Sequence, residues 1–266
     1  MKENDNENIE QKNPQQIKLS NIIGQLTQLN YSISEDDILI QILDNNNTTF
    51  SNFLKNYQIL LKLLSKYINS KMILKYELKK IKIFPPNNDY FWGSKSLENT
   101  ALKQINKVLI ILNDPFNYPG IFSNNLLFFD TIYNASVFKF IELAEKKKFP
   151  VIILNVSKVK NNERDIDLYL DNFWKLIIEN KLINLNNIIF IAYKNASISL
   201  IKLLNKNHRD FEEKIKKILL INSFHKEYYK IMDKSMQEIF SKKTTNYILS
   251  NLPVGSLIYS STSSLE

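Results

Sequence analysis

The stretch Ile188-Ile-Phe-Ile-Ala-Tyr-Lys-Asn-Ala-Ser197 decides how the rest of the chain is read. Its first half, Ile188 to Ala192, is an apolar run with the length of a buried strand. From Ser197 onward, Ile198, Ile201, Leu203 and Leu204 recur near the helical period. Two small residues, Ala192 and Ala196, flank Lys194 at the spacing of a nucleophile elbow, the tight strand-to-helix turn that presents a nucleophile at the end of a sheet. A hydrolase would place serine, cysteine or aspartate at the centre of that turn. Lys194 stands there instead, so the spacing predicts a turn whose geometry is kept and whose chemistry is gone.

Working outward, further short apolar runs read as buried strands: Val108 to Leu112, Pro150 to Asn155, Ile218 to Asn222 and Ser256 to Tyr259. Helical patterns lie between and after them, over Val137 to Lys147, Asp167 to Asn180, Ser197 to Asn205 and Glu227 to Phe240. Near-continuous apolar strands separated by helices imply an α/β, mostly parallel sheet with helices on both faces. Nearer the start, Phe53, Tyr57, Leu60, Leu61, Leu64 and Ile68 mark an amphipathic helix, after a turn at Asn45 to Thr49. Ile38 to Leu43 and the alternating Leu74 to Ile83 read as strands, the second stopped by Pro85 and Pro86. Asn87 to Asn99 reads as a loop with an extended piece at Phe91 and Trp92, and a long loop runs through Pro115 and Pro119. The polar residues 1–18 are expected to form a disordered tail, and residues 19–266 a single domain.

Composition narrows the function classes. The 266 residues are 44% hydrophobic and 23% charged, the balance of a folded protein. With no cysteine, disulfides and thiolate–metal sites are excluded. No apolar run approaches the roughly 20 residues of a membrane span, and Met1 to Lys18 lacks the apolar core of a signal peptide. The chain is therefore expected to be intracellular and soluble, without a membrane partner. The net charge of +8 rests almost wholly on lysine, since arginine occurs only at Arg164 and Arg209. Nucleic acid, contacted through Lys146 to Lys148 and Lys214 to Lys217, is a secondary expectation because base and phosphate readers favour arginine.

The candidate chemistry fails position by position. The loop after Leu112 reads Asn113-Asp-Pro-Phe-Asn-Tyr-Pro-Gly120. Pro115 has no N–H to give an oxyanion, and Asp114 would repel one. A base must come from His208, which sits in a polar stretch and is expected to be exposed, or from His225, too early in the topology for the usual triad order. Ser197 reads as a helix N-cap, and Glu163, Asp165 and Asp167 as a helix start. Two separated histidines give no metal-ligand spacing, and Gly24, Gly93, Gly120 and Gly255 make no phosphate loop, so no metal and no cofactor are expected. Phe91, Trp92, Phe128, Phe129, Phe173 and Trp174 are expected in the core rather than as base-stacking platforms.

These residues together resemble the Arb-type domain, an α/β-hydrolase-like module named for an Argonaute-binding silencing factor and found also at the C-terminus of some fungal class II histone deacetylases. The resemblance runs from about Leu29 to the end. It is carried by the helix Tyr57 to Ile68, the strand Leu78 to Pro85, Val108 to Leu112, Pro150 to Asn155, and Tyr169 to Trp174. The family's histidine–serine–tyrosine–glycine–glycine elbow falls on Tyr193, Lys194, Asn195, Ala196 and Ser197. Its aspartate–serine–x–histidine motif falls on Asn222, Ser223, Phe224 and His225, and its histidine–glycine–x–glycine loop on Asn113, Asp114, Pro115 and Phe116. Its late histidine falls near Ser263 or Ser264. The resemblance thus implies a degenerate site at Lys194, Asn222, Asn113, Asp114 and Ser264, with a vestigial pocket formed by Tyr193, Lys194, Asn195, Ser223 and His225. It further implies a non-catalytic adaptor, with an Argonaute or a histone-modifying complex subunit as partner, in the nucleus rather than the cytoplasm. The competing expectations are an active hydrolase with a displaced nucleophile, using Ser223 or Ser197 beside His225, and a structural subunit of a larger particle.

Overall fold

The computed structural model describes residues 14–42, 50–83, 89–97, 107–156, 163–178 and 187–249, together with Pro253 and Ser256. In chain order, α1 (Pro14–Gln28) leads into a small hairpin, β1 (Tyr31–Ile33) and β2 (Leu39–Gln41), and then the long α2 (Phe50–Leu74). Next come β3 (Lys79–Lys82), β4 (Tyr90–Gly93) and β5 (Lys107–Leu112), followed by the helices α3 (Asn124–Phe129), α4 (Ile132–Ala135) and α5 (Phe138–Lys146). The remainder is β6 (Val151–Leu154), α6 (Glu163–Ile178), β7 (Asn187–Tyr193), α7 (Ala196–Lys206), α8 (His208–Lys214), β8 (Ile215–Ile221), α9 (Lys226–Lys230), α10 (Lys234–Lys243) and β9 (Thr244–Tyr247).

Seven of these strands form one sheet in the order β3-β4-β6-β5-β7-β8-β9. The five from β6 to β9 run parallel, while β3 and β4 close one side antiparallel. Alternation along β5 explains why both faces are covered. Val108, Ile110 and Leu112 enter a core closed by α6, α7, α8 and α10. Leu109 and Ile111 enter the opposite core, closed by α1, α2, α4 and α5. The second core has a polar anchor in Glu142, which accepts hydrogen bonds from Tyr133 at 2.7 Å, Tyr76 at 2.8 Å and Lys75 at 2.9 Å. The Tyr133 hydroxyl first, then Lys75 and Tyr76, hold its carboxyl down at about 2 against the opposing effect of burial. Asp37 ties the hairpin to α2 in the same way, accepting from Tyr67 at 2.5 Å and pairing with Lys71 at 3.2 Å.

The α/β class and the central strands follow the sequence pattern, and several details do not. Residues 14–18 are helical rather than part of a disordered tail, because α1 opens at Pro14 and buries Ile22 and Leu26 against α2. The helix α2 continues to Leu74, and the strand after it begins only at Lys79. The extended piece at Phe91 and Trp92 is a full sheet strand, with Phe91 and Trp92 buried on opposite faces. Short helices α3 and α4, each N-capped by a hydroxyl (Ser123 and Thr131), interrupt the expected long loop. Phe129 is not core: it is 80% exposed. The expected turn at Asn45 to Thr49, the stop at Pro85 and Pro86, the strand over Ser256 to Tyr259 beyond its first residue, and Ser263 and Ser264 lie outside the described residues.

Candidate functional site

At the end of β7 the backbone turns as the small-residue spacing predicts. Lys194 adopts a φ of 49°, the left-handed region, and α7 begins two residues later at Ala196. A non-glycine residue is costly there, by about 1–2 kcal/mol. The turn is held from three sides. The Lys194 N–H extends the ladder to the carbonyl of Ile221 at 3.0 Å, and the Lys194 carbonyl accepts the Ser197 N–H at 3.2 Å and its hydroxyl at 2.6 Å. Ala192 and Ala196 are both buried, so larger side chains would push α7 off the strand end. Ser197 is therefore not the N-cap. It sits inside the first turn of α7, fully buried, with its hydroxyl spent on its own backbone, and the capping position belongs to Asn195. The ammonium of Lys194 lies 5.2 Å from the centre of the Tyr193 ring, whose other neighbour is Phe122 at 5.5 Å.

The loop after β5 faces this turn. Asn113 and Asp114 are buried there. The Asn113 amide donates to the carbonyl of Ile121 at 2.8 Å, and its oxygen accepts the Gly120 N–H at 3.4 Å. Gly120 itself has a φ of 84°, and a Cβ on it would meet Ile68 of α2 at 3.1 Å. The Asp114 carboxylate accepts the Phe116 N–H at 3.1 Å, and the Asn195 side-chain amide reaches its two oxygens at 3.4 and 3.5 Å. In an acyl-transfer site the residue after the nucleophile supplies one oxyanion donor and this loop supplies another. Here the residue after Lys194 is Asn195, and its side-chain amide is bonded to the Asp114 carboxylate. The loop's own N–H groups at Phe116 and Gly120 are turned onto side chains. The Asp114 carboxylate thus lies beside the turn at which an acyl-transfer site would place its donors.

The third part of the site follows β8. Asn222 has a φ of 51°, and its N–H reaches the Tyr247 carbonyl of β9 at 2.7 Å. Beyond it, Ser223 Oγ lies 2.6 Å from Nδ1 of His225 and accepts the His225 backbone N–H at 3.2 Å. Burial pushes the His225 imidazole below its ordinary pKa, which favours the neutral ring, and the ring packs 6.1 Å from Phe240 of α10. The nitrogen facing serine is Nδ1, the one that a Ser–His–Asp triad reserves for its acid. Among the described residues no carboxylate bonds His225. The other histidine, His208, is half-buried rather than exposed, with its Nε2 buried and without a hydrogen-bond partner.

The structure thus joins Asn195 to Asp114 directly, with Lys194 and Asn113 next to them in the chain, and sets Asn222, Ser223 and His225 at the same end of the sheet through the neighbouring strand. Ser264 lies outside the described residues, and Asp167, from the acidic helix start, pairs with Lys202 at 3.3 Å rather than with a metal. Among the described residues no three histidine or acidic side chains group to hold an ion, and no helix is long and apolar enough to cross a membrane. The basic clusters at Lys146 to Lys148 and Lys214 to Lys217 precede β6 and run into β8, at the end of the sheet away from the elbow; Lys214 pairs with Asp210. Sequence reasoning missed the Asp114–Asn195 bridge, because its two residues lie 81 positions apart.

A sheet with this strand order, and a left-handed turn from β7 into a helix, define an α/β-hydrolase-like domain. Within it, residues 155–254 match the family model of the Arb2 domain, so the Arb-type resemblance holds over the segment carrying the elbow and the Ser223–His225 loop. Among solved structures, the chain is similar to a histone deacetylase from Saccharomyces cerevisiae, with 15% identity over 72% of this chain and 80% of that one and a TM-score of 0.47. It is similar also to the histone deacetylase Clr3, with 19% identity over 60% of this chain and 26% of that one (TM-score 0.40). A fungal esterase from Rhizomucor miehei shares 12% identity over 76% of this chain and 64% of that one (TM-score 0.38). No curated protein matches the sequence.

Proposed function

We propose that this chain is a non-catalytic α/β-hydrolase-like domain that acts as a protein-interaction adaptor. By the Arb-type resemblance, its setting is an RNA-silencing or chromatin-modifying complex in the nucleus, and its partner an Argonaute or a histone-modifying subunit. The observation that carries the reading is the lysine at the left-handed centre of the elbow, with the Asp114 carboxylate bonded to the residue that follows it. The adaptor role is supported by what the same end of the sheet exposes. Phe116, in the loop after β5, is 75% exposed, and Phe224, in the loop after β8, is 58% exposed, on either side of the elbow strand. Aromatic side chains beside a polar turn are suited to anchoring a protein partner.

Two experiments test this. A fluorophosphonate probe applied to the purified protein is expected to leave every serine unlabelled. Affinity purification of the tagged chain from its own cells is expected to recover a silencing or histone-modifying subunit, and the Phe116→Ala, Phe224→Ala double variant to lose it. Recovery of the same subunit by the double variant would move the docking surface elsewhere.

A second reading has one observation in its favour, the 2.6 Å contact between Ser223 and His225. Under it, Ser223 is a displaced nucleophile. Probe labelling at Ser223 that vanishes in His225→Ala would establish that reading and end the non-catalytic one.

A further inference from the structure

Two long segments of this basic chain contain no lysine or arginine: the residues between Lys18 and Lys55, and those between Lys107 and Lys139. The fold brings them together. Ile38 of the small hairpin forms an antiparallel bridge with Thr131, and the Ile132 N–H donates to the Asp37 carbonyl at 2.7 Å. Around that bridge the surface is apolar. Leu39 of β2 packs against the α2 core, so by strand alternation Ile38, Ile40 and Ile42 face away from it, and all three are exposed. Opposed residues of an antiparallel pair share a face while their chains run in opposite directions. The step from Ile38 to Ile40 therefore runs beside the step from Thr131 back to Phe129. Phe129, the last residue of α3, is 80% exposed, and Leu126, one turn earlier on the same helix, is exposed with it. The rim of this patch is acidic. Glu35 and Asp36 occupy the hairpin turn, where the Asp37 N–H donates to the Ser34 carbonyl at 3.1 Å, and Asp130 stands between Phe129 and the bridge. Lys71 reaches the hairpin but pairs with Asp37. Among the described residues no lysine or arginine pairs with Glu35, Asp36 or Asp130.

We infer that this face docks a segment of another protein in which lysine or arginine flanks apolar side chains. An exposed apolar surface with a polar rim has the composition of a protein-binding patch. The rim selects the sign of the partner. On a chain of net charge +8, unpaired carboxylates beside an apolar patch attract a basic segment and repel the phosphates of nucleic acid. A second copy docked through the same face would bring two acidic rims together. The patch shares no residue with the Phe116 and Phe224 pair, and it stands whether or not the elbow is catalytic.

Random dodecapeptides displayed on phage are selected on the intact chain, and those that also bind the Ile40→Ser, Phe129→Ser double variant are removed. Both substitutions fall on exposed side chains, and an unchanged circular dichroism spectrum checks the fold of the variant. The expected result is enrichment of peptides that carry lysine or arginine beside aliphatic or aromatic residues. Fluorescence polarisation with the most enriched peptide should show binding weakened about tenfold or more by Ile40→Ser, Phe129→Ser. The Glu35→Lys, Asp36→Lys variant, which leaves the apolar patch intact, should weaken it about tenfold as well. The proposal is overturned if no peptide survives the depletion, if the survivors have no basic bias, or if the charge variant binds them as well as the wild type does. It is overturned too if sedimentation shows a dimer that the Ile40→Ser, Phe129→Ser variant loses, since the face then belongs to a second copy. None of these outcomes depends on recovering a silencing or histone-modifying subunit from cells, so a failure here is distinct from a failure of the adaptor reading.

Discussion

The turns after β7 and β8 begin alike and end differently. Each places its first residue beyond the strand in the left-handed region, Lys194 at 49° and Asn222 at 51°. Each sends that residue's N–H across to the neighbouring strand. The flanks two residues away are opposites. Around Lys194 they are Ala192 and Ala196, both buried; around Asn222 they are Leu220, buried, and Phe224, exposed. The difference lies in where the chain goes next. After β7 it enters α7 within two residues, so Ala196 is pressed against the strand end. After β8 it spends four residues in a loop closed by Ser223 and His225, and Phe224 points outward. Small flanks are thus a requirement of immediate helix packing, not of the left-handed turn itself.

The largest expected effect comes from exchanging those flanks. Ala196→Leu forces three extra carbons into a closed site and should cost about 2–3 kcal/mol, a large effect of the overpacking kind. The counterpart, Phe224→Ala, removes an exposed ring and should stay within about 0.5 kcal/mol. Urea unfolding followed by circular dichroism measures both. Equal losses at the two positions would break the comparison.

The central residues give the next effect. Asparagine tolerates the left-handed region and lysine does not. Lys194→Gly should therefore raise stability by about 0.5–1 kcal/mol, the backbone relief being partly offset by the greater freedom of glycine in the unfolded chain. Asn222→Gly should change it by only a few tenths of a kcal/mol, read in the same assay. A gain at Lys194 would mean that the strained lysine is retained for something other than stability, in keeping with an interaction role at that end of the sheet. Smaller again is Ser223→Ala, which removes one half-buried hydroxyl from the loop and should cost about 0.5–1 kcal/mol.

Much of this was legible in the sequence where burial is complete. The strands β5, β6, β7 and β8 are apolar enough to be found within one to three residues, and the alanine spacing around Lys194 exposes the elbow. The misses share a physical cause. Strand β9, Thr244-Thr-Asn-Tyr247, pairs with one neighbour among the described residues and is partly or fully exposed, so it carries no apolar run. The stretch Met72 to Leu78 fits both periods, and packing of Met72 in the α2 core decides for helix up to Leu74. Ser197 has the composition of a cap, but its hydroxyl turns back to Lys194 once Asn195 is drawn to Asp114. Contacts between residues far apart in sequence leave no local pattern, and the chemistry of this site rests on such a contact.

The smallest effect is a pH dependence that separates the two turns, because only the one after β8 contains a titrating ring. Burial lowers the folded pKa of His225 below the ordinary value of about 6.5. As pH falls through that value the unfolded imidazole takes up a proton while the folded one resists. The unfolded state then binds more protons, and stability declines with falling pH until the folded ring is protonated too. Above about pH 7.5 both forms are neutral and the contribution is constant. The wild-type chain and His225→Gln should therefore run parallel at high pH and converge as pH falls below about 6.5, the wild type losing more stability. If the two instead stay parallel down to pH 5, the ring is no more enclosed in the folded chain than in the unfolded one. The loop after β8 would then be an open turn, as free to rearrange around a substrate as the elbow after β7 is fixed.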